Sequence, residues 1–321
     1  MQNQPSTHPT LVTGANGYIA CHIIKLLLER DYKVRGTVRS VANRDKNGFL
    51  YNLVPEKSHN LELVEADLGN RESWESAIEG CQYIYHVASP VMAADVQDES
   101  EIIGPAVMGT VNVLEIALQK GVKKVVVTSS CSAVWDKSKD HVTTEEDWAD
   151  EAHIALYAKS KVRSEKKAWE IYEQCKDRMQ ISVILPSFVL GPVFSKNLSS
   201  SDQLVAAIMR GLLPGAVEMK VGVTDVRDVA EAHYQAMTSD VANGKRYIVS
   251  GRQSTLLEII QVLKKEFDKF GYNISDKLIP TGEVLSSDAP LLKELKRFIG
   301  VERKVSNELS IKELGIKYRP L

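Results

Sequence analysis

Apolar residues in this chain switch between a two-residue and a three-to-four-residue spacing, and the switches lay out its elements. Leu11 and Val12 form a short apolar strand that breaks at Gly14. From Tyr18 the apolar positions Ile19, Ile23, Ile24, Leu26 and Leu27 fall along one side of a helix that Asp31 ends, and Tyr32 to Val38 returns to strand alternation. A polar helix-and-loop stretch spans Val41 to Asn60. Leu61 to Ala66 predicts a third strand, Arg71 to Glu79 a short helix, and Tyr83 to Val87 a fourth strand that opens at Ala88, Ser89 and Pro90. Ile102 to Gln119 predicts a long helix in which Pro105 should kink or restart the turn. Gly109 in the same helix lets backbone pack close to a neighbour, and Val122 to Thr128 predicts a fifth strand.

Past an acidic stretch, Trp135 to Ala155, expected to cover part of a site, Ala155 to Tyr172 reads as a helix. Gln180 to Leu185 reads as a sixth strand ended by Pro186. Then come a serine-rich loop (Ser195 to Ser201) and a helix from Leu204 to Leu213 stopped by Pro214–Gly215. Asp225 to Met237 is expected as a helix with Asp225 as its cap and Asp228 as a first-turn acid. Arg246 to Val249 reads as a strand, and Leu256 to Leu321 alternates amphipathic helices with short loops. Strands alternating with helices at these lengths predict an α/β fold, a Rossmann-type doubly wound parallel sheet with ligands at the C-terminal ends of its strands.

Composition narrows the classes. The 321 residues, 44% hydrophobic and 26% charged, suit one large α/β domain with a smaller companion. A net charge of −2 makes no electrostatic case for nucleic acid or an anionic membrane. No uninterrupted apolar run approaches the roughly 20 residues of a bilayer span. Residues 1–9 are polar and read as a disordered tail, not a signal. Cys21, Cys81, Cys131 and Cys175 lie far apart with no CxxC pair, which argues against a zinc site or disulfide framework and for a reduced, cytoplasmic protein. The run TTEEDWADE has no histidine at ligand spacing; it reads as a solvated loop anchored by Trp148, and no metal is expected.

Three groups of residues carry chemistry. In TGANGYIA, Gly14 permits a sharp turn and Gly17 lets backbone approach a pyrophosphate at a helix N-terminus, with Ala20 small enough for helix–strand packing. The second strand ends in Thr37, Val38 and Arg39 where an NAD enzyme would place an acid, and an arginine there suits a 2′-phosphate. NADPH is therefore expected over NADH. Tyr157 and Lys161 stand four apart on one helix face, where a cation favours the phenolate left when a phenol gives its proton to a carbonyl oxygen. Thr128, Ser129 and Ser130 end a buried strand at the same sheet edge, where a serine hydroxyl can bind that oxygen beside the tyrosine. His86 reads as structural and Cys131 as small packing.

With these motifs in order, the chain resembles the extended short-chain dehydrogenase/reductases, on TGANGYIA, TSS and YAKSK. HVASP at 86–90, PAVMGT at 105–110 and TDVRDVAEAH at 224–233 resemble the branch of dihydroflavonol reductases and NADPH-dependent methylglyoxal and aldehyde reductases. The resemblance, which runs from about Thr10 to Ser250, implies roles. Ser130 would polarise the substrate carbonyl, Tyr157 would deliver the proton, and Lys161 would hold the nicotinamide ribose. Thr13, Gly14, Asn16, Gly17, Tyr18 and Ile19 would surround the pyrophosphate, and Arg39, helped by Arg44 or Lys46, the 2′-phosphate. Asp67 and Leu68 would flank the adenine, Val87, Ala88 and Ser89 the inner ribose, and Pro186 and Val189 the nicotinamide, with Thr128 beside them at the strand end.

The chain also departs from these relatives. Ala106 stands where many members carry an asparagine of the catalytic set. Ala155 and Leu156 replace the asparagine–tryptophan pair of cinnamoyl-CoA reductases, which argues against a CoA thioester. Trp135 replaces an asparagine of plant flavonoid reductases, which argues against a dihydroflavonol. The expected organisation is an NADP-binding Rossmann domain over 1–186 with a return segment over 224–253, and a mostly helical substrate lobe from 187–223 and 254–321. A pocket walled by Trp135, Phe188 and Val189 and by Leu204, Ile208, Met209 and Leu213 of the second lobe, with Ser89, Ser130 and Tyr157 at its polar end, predicts a medium-sized apolar aldehyde or ketone as substrate, handled by a monomer or homodimer. A hydroxysteroid or sugar-nucleotide dehydrogenase or epimerase of the same fold, and a non-catalytic NADP sensor, remain as alternatives.

Overall fold

The computed structural model describes residues 8–90, 98–196 and 198–320, so the expected tail lies outside the described residues up to Thr7. The first half of the chain runs β1 (Thr10–Val12), α1 (Tyr18–Glu29), β2 (Val34–Val38), α2 (Arg44–Asn47), β3 (Leu61–Glu65), α3 (Arg71–Ile78), β4 (Tyr83–His86), α4 (Glu99–Gln119) and β5 (Lys124–Thr128). It continues with α5 (Leu156–Cys175), β6 (Gln180–Pro186), β7 (Phe188–Leu190), α6 (Ser200–Met209), β8 (Lys220–Asp225), α7 (Val226–Thr238) and β9 (Lys245–Val249). The last part holds β10 (Gln253–Thr255), α8 (Leu256–Phe267), α9 (Thr281–Ser286), α10 (Pro290–Leu295) and α11 (Glu308–Leu314).

Seven strands form one parallel sheet in the order β3-β2-β1-β4-β5-β6-β9. The order reverses between β1 and β4, the place where a crevice opens beyond the strand ends. The register aligns those ends: Val12 lies beside Tyr85, His86 beside Val127, and Thr128 beside Ile184. One face of the sheet is covered by α1 and α7, which bury Ile23, Ile24 and Leu27 with Val229 and Ala232. The other is covered by α4 and α5, which bury Val113, Leu114 and Ala117 with Val162 and Ala168. Helix α1 stops one residue before its cap Arg30, and Asp31 turns the chain into β2 from a left-handed conformation (φ 63°) that a short polar side chain tolerates.

Four features differ from the sequence-based expectation. Helix α4 starts at Glu99 rather than Ile102 and continues through Pro105, which has no N–H to give the carbonyl four residues back. Strand β5 starts at Lys124 rather than Val122; the Lys124 ammonium donates to Ser239 O at 2.8 Å, and burial lowers it to about 8. Helix α6 starts at Ser200, where Ser199 and Asp202 form a reciprocal cap, and ends at Met209, leaving Leu212 and Leu213 outside. Finally, β7, β8 and β10 make a small sheet of order β10-β8-β7 that the sequence did not reveal, since strands of three to six residues are too short to show alternation. Its residues Val221 and Val223 join Ile208, Leu256 and Ile279 in a separate core.

The stretch Glu101–Gln119 of α4 is long and apolar enough to cross a membrane by length and composition, and in this fold it packs between α3, α5 and the sheet. Gly109 explains how it sits so close: a Cβ there would meet Leu68 Cδ2 at 2.7 Å and Leu68 Cβ at 2.9 Å. Gly109→Val should therefore overpack this contact and lower stability by about 1–3 kcal/mol. Urea melts of the two proteins check it, and an unchanged midpoint would show that the helix can move away from Leu68.

Candidate active site

The glycine turn is held from two sides. Gly14 has a left-handed backbone (φ 66°), and a Cβ there would lie 3.1 Å from Ala88 Cβ. Its N–H donates to Thr37 Oγ1 at 3.0 Å, while the Gly17 N–H donates to Gly14 O at 2.8 Å. Helix α1 then opens at Tyr18 and Ile19 with no side-chain cap and no acid in its first turn. By contrast, α3 is capped by Asn70 and α7 by Asp225, as expected for the latter. The positive end of α1 thus has no side-chain cap from Gly17 and no neutralising acid in its first turn.

Thr13 ties this turn to the end of β4. Its Oγ1 accepts from the N–H groups of Val87 (3.0 Å) and Ala88 (2.9 Å), so its own proton goes to His86 Nδ1 at 3.1 Å. That leaves the imidazole proton on Nε2. Burial, with the Lys161 charge nearby, lowers His86 to about 3, which makes it a neutral buttress.

Arg39, Arg44 and Lys46 are exposed, and none of their side chains makes an ion pair or hydrogen bond among the described residues. The loop that bears them is fixed by Asn47, which sequence reasoning did not single out. This buried amide donates to Ser40 O at 2.8 Å and accepts from Asn16 Nδ2 at 3.0 Å, linking the cation loop to the glycine turn. Asn43 caps α2 by accepting from the Lys46 N–H. On the next strand end Asp67 accepts from the Gly69 N–H, and the Leu68 carbonyl accepts from Asn112 Nδ2.

Tyr157 lies at the start of α5 and is 36% exposed. The Lys161 ammonium is buried one turn later, 5.8 Å from the Tyr157 ring centroid, and donates to Ser89 Oγ at 3.3 Å. Lys161, Ser89 and His86 line one small cavity together with Ala106, Ser129 and Glu165.

The three hydroxyls at the end of β5 have different partners. Thr128 donates to His233 Nε2 at 2.7 Å, because His233 Nδ1 carries its proton toward Val229 O at 2.8 Å. Burial lowers His233 to about 4 and keeps it neutral. Ser129 donates to the buried Glu165 at 2.6 Å. Ser130 Oγ only accepts, from the Ser132 N–H at 3.1 Å, and its own proton has no acceptor among the described residues. Cys131 contacts Leu185 O through its sulfur, and burial pushes its thiol up to about 12, in keeping with packing.

Around the strand ends, Pro186 and Val189 are buried, and the partly buried Phe188 packs against the core of the small sheet. Trp135 is 8% exposed, with the Arg303 guanidinium 4.6 Å from its ring centroid. The acidic stretch docks on the outer strand β9: Trp148 stacks under the Arg246 guanidinium at 3.8 Å, and Arg246 donates to the carbonyls of Glu145 and Asp147. Among the described residues no cluster of three or more histidine, cysteine or acidic side chains is arranged to hold a metal.

Residues 10–250 match the model of the NAD dependent epimerase/dehydratase family. The chain belongs to this family, the extended short-chain dehydrogenase/reductases. It is 32% identical over 317 residues to cinnamoyl-CoA reductase 2 of Medicago truncatula, covering 97% of this chain and 87% of that one. It is 32% identical over 272 residues to tetraketide alpha-pyrone reductase 2 of Arabidopsis thaliana, covering 82% and 84%. The fold is similar to that of yeast methylglyoxal/isovaleraldehyde reductase Gre2 complexed with NADPH, with TM-score 0.80 and 29% identity over 98% of this chain and 94% of that one. Vestitone reductase from alfalfa aligns with TM-score 0.74 and 28% identity, covering 98% and 94%. Within the family the chain is an oxidoreductase of the reductase type.

Two of the buried imidazoles, His86 and His233, make stability depend strongly on pH. Both have folded-state values below the usual 6.5, so below that pH the unfolded chain binds protons that the native chain refuses, and stability falls with pH. From pH 7 to pH 5 the two together should cost about 4 kcal/mol in urea melts. His233→Gln should remove about half of that pH dependence. A profile flat over this range would mean that the native rings take up protons.

Proposed function

We propose that this chain is an NADPH-dependent carbonyl reductase acting on a medium-sized, mainly apolar aldehyde or ketone. The observation that carries the reading is the buried Lys161 ammonium, 5.8 Å from the Tyr157 ring and bonded to Ser89. The residues present fit the cofactor: an uncapped helix start behind a glycine cradle suits the pyrophosphate, and three cations without partners among the described residues suit a 2′-phosphate. NADPH accompanies Gre2 in the yeast complex and in the one from Candida albicans.

Bound NADPH supplies a hydride. The chain's own residues then govern the carbonyl oxygen. Ser130 donates its uncommitted proton to that oxygen and orients it. Tyr157 passes its phenolic proton to the oxygen as negative charge develops there. Lys161, held by Ser89, favours the phenolate that remains. Thr13 and His86 keep the strand ends beneath them rigid. The partly buried Phe188 offers apolar surface, worth roughly 25 cal/mol per Å² buried, and no partner for a polyhydroxylated substrate, whereas Trp135 is buried beside Arg303 and does not form the expected wall. Isovaleraldehyde, named for the yeast neighbour, is a branched aliphatic aldehyde of the kind this reading expects. The absence of an asparagine–tryptophan pair before Tyr157 counts against a CoA thioester. We place the enzyme in the cytoplasm as a monomer or homodimer, in accord with four buried free thiols.

Two measurements test this reading. Arg39→Ala should weaken NADPH binding at least about tenfold and NADH binding little, since a charge-assisted bond contributes about 1.5–3 kcal/mol. Equal affinity of the unmodified protein for the two cofactors would remove the basis of the cofactor assignment. Tyr157→Phe should keep NADPH affinity while kcat for a branched or aromatic aldehyde falls by about 10²–10⁴. Near-normal turnover in that variant, or a wild-type preference for sugars over such aldehydes, would overturn the proposed chemistry.

A further inference from the structure

The helix that carries Tyr157 is also bonded to the residue immediately before Ser130. Tyr157, Lys161 and Glu165 are one turn apart along α5, on roughly one face. Glu165 is 1% exposed, and three donors meet its carboxylate: Ser129 Oγ at 2.6 Å on one oxygen, and Arg246 Nε at 2.5 Å and Trp169 Nε1 at 3.2 Å on the other. Arg246 is in turn held by the carbonyls of Glu145 and Asp147 and by the Trp148 ring. The carboxylate is therefore locked in place from the side away from Ser129. Ser129 is itself held by main chain, its N–H donating to Ile184 O at 2.8 Å.

We propose that Ser129 and Glu165 are positioning residues that set the place of Ser130 relative to Tyr157. The bonds form a closed circuit: Ser130 to Ser129 through the peptide, Ser129 to Glu165 through a charge-assisted hydrogen bond, and Glu165 back along two turns of α5 to Tyr157. Without the Ser129–Glu165 bond, strand β5 and helix α5 could slide past one another, and the two groups that hold one carbonyl oxygen would separate. An error of about 1 Å in such a pair can cost on the order of 10²-fold in rate. The plain alternative is that Ser129 merely satisfies a buried carboxylate. In that case its loss would be felt in stability rather than in turnover. The inference rests on the roles assigned to Ser130 and Tyr157 above.

Ser129→Ala removes the hydroxyl and leaves Glu165 its pair with Arg246. With NADPH and isovaleraldehyde as probes, well below the melting temperature that the lost donor lowers, kcat should fall by about tenfold or more while NADPH affinity stays near wild type. Ser129→Thr, which keeps the hydroxyl, should recover most of the lost rate. If Ser129 acts through Ser130, adding Ser129→Ala to Ser130→Ala should lower kcat by less than about twofold further. An undiminished kcat in Ser129→Ala, when Ser130→Ala is impaired, overturns the inference and leaves the reaction assignment standing. So does a fall in kcat matched by lost NADPH binding, or a full additive loss in the double variant. Normal turnover in Ser130→Ala itself overturns both.

Discussion

One hydroxyl joins the two strands between which the sheet reverses. Thr13 at the end of β1 accepts from the N–H groups of Val87 and Ala88, which have left β4 and have no ladder partner, and gives its proton to His86. Leaving such part-buried N–H groups unmet would cost up to about 1–3 kcal/mol each. The bond thus sets the distance between the glycine turn and the loop that carries Ser89, and Ser89 receives Lys161. It requires a neutral imidazole, which burial of His86 provides. The crevice, the buried ammonium and the uncapped helix start all rest on this junction.

The same economy of partners shapes the other strand ends. At the end of β5, successive side chains point to opposite faces. Thr128 is taken by His233 on α7, and Ser129 by Glu165 on α5. Ser130 lies beyond the ladder, where it caps a short turn with its lone pair and keeps its proton. The two hydroxyls before Ser130 are thereby committed to the fold, while the proton of Ser130 has no acceptor among the described residues. The expected catalytic asparagine position is Ala106, which lines the cavity behind Lys161 and adds no polar group there.

Much of this was legible in the residues. The strand–turn–helix opening, the alternation of strands and helices, and the pairing of Tyr157 with Lys161 depend on contacts within a few residues of one another, and local spacing reports them directly. Gly109 was expected to permit a close approach, and Leu68 is what approaches it. The stretch around Trp148 was expected to be anchored by that indole, and the Arg246 guanidinium provides the anchor.

Other features were settled only by folding. Asn47 bonds to Asn16 across 31 positions, Glu165 to Ser129 across 36, and His233 to Thr128 across 105, so no local pattern marks any of them. The strands β7, β8 and β10 are stable because they pair with one another across the chain, not because their own sequences alternate. The sequence by itself therefore determined the strands of the large sheet, most of the helices and their order, since these follow from side-chain period and backbone preference. Only the tertiary structure decided which of those side chains remain unpartnered. Whether a hydroxyl or a cation is free depends on which distant donor or acceptor the packing brings within about 3 Å of it.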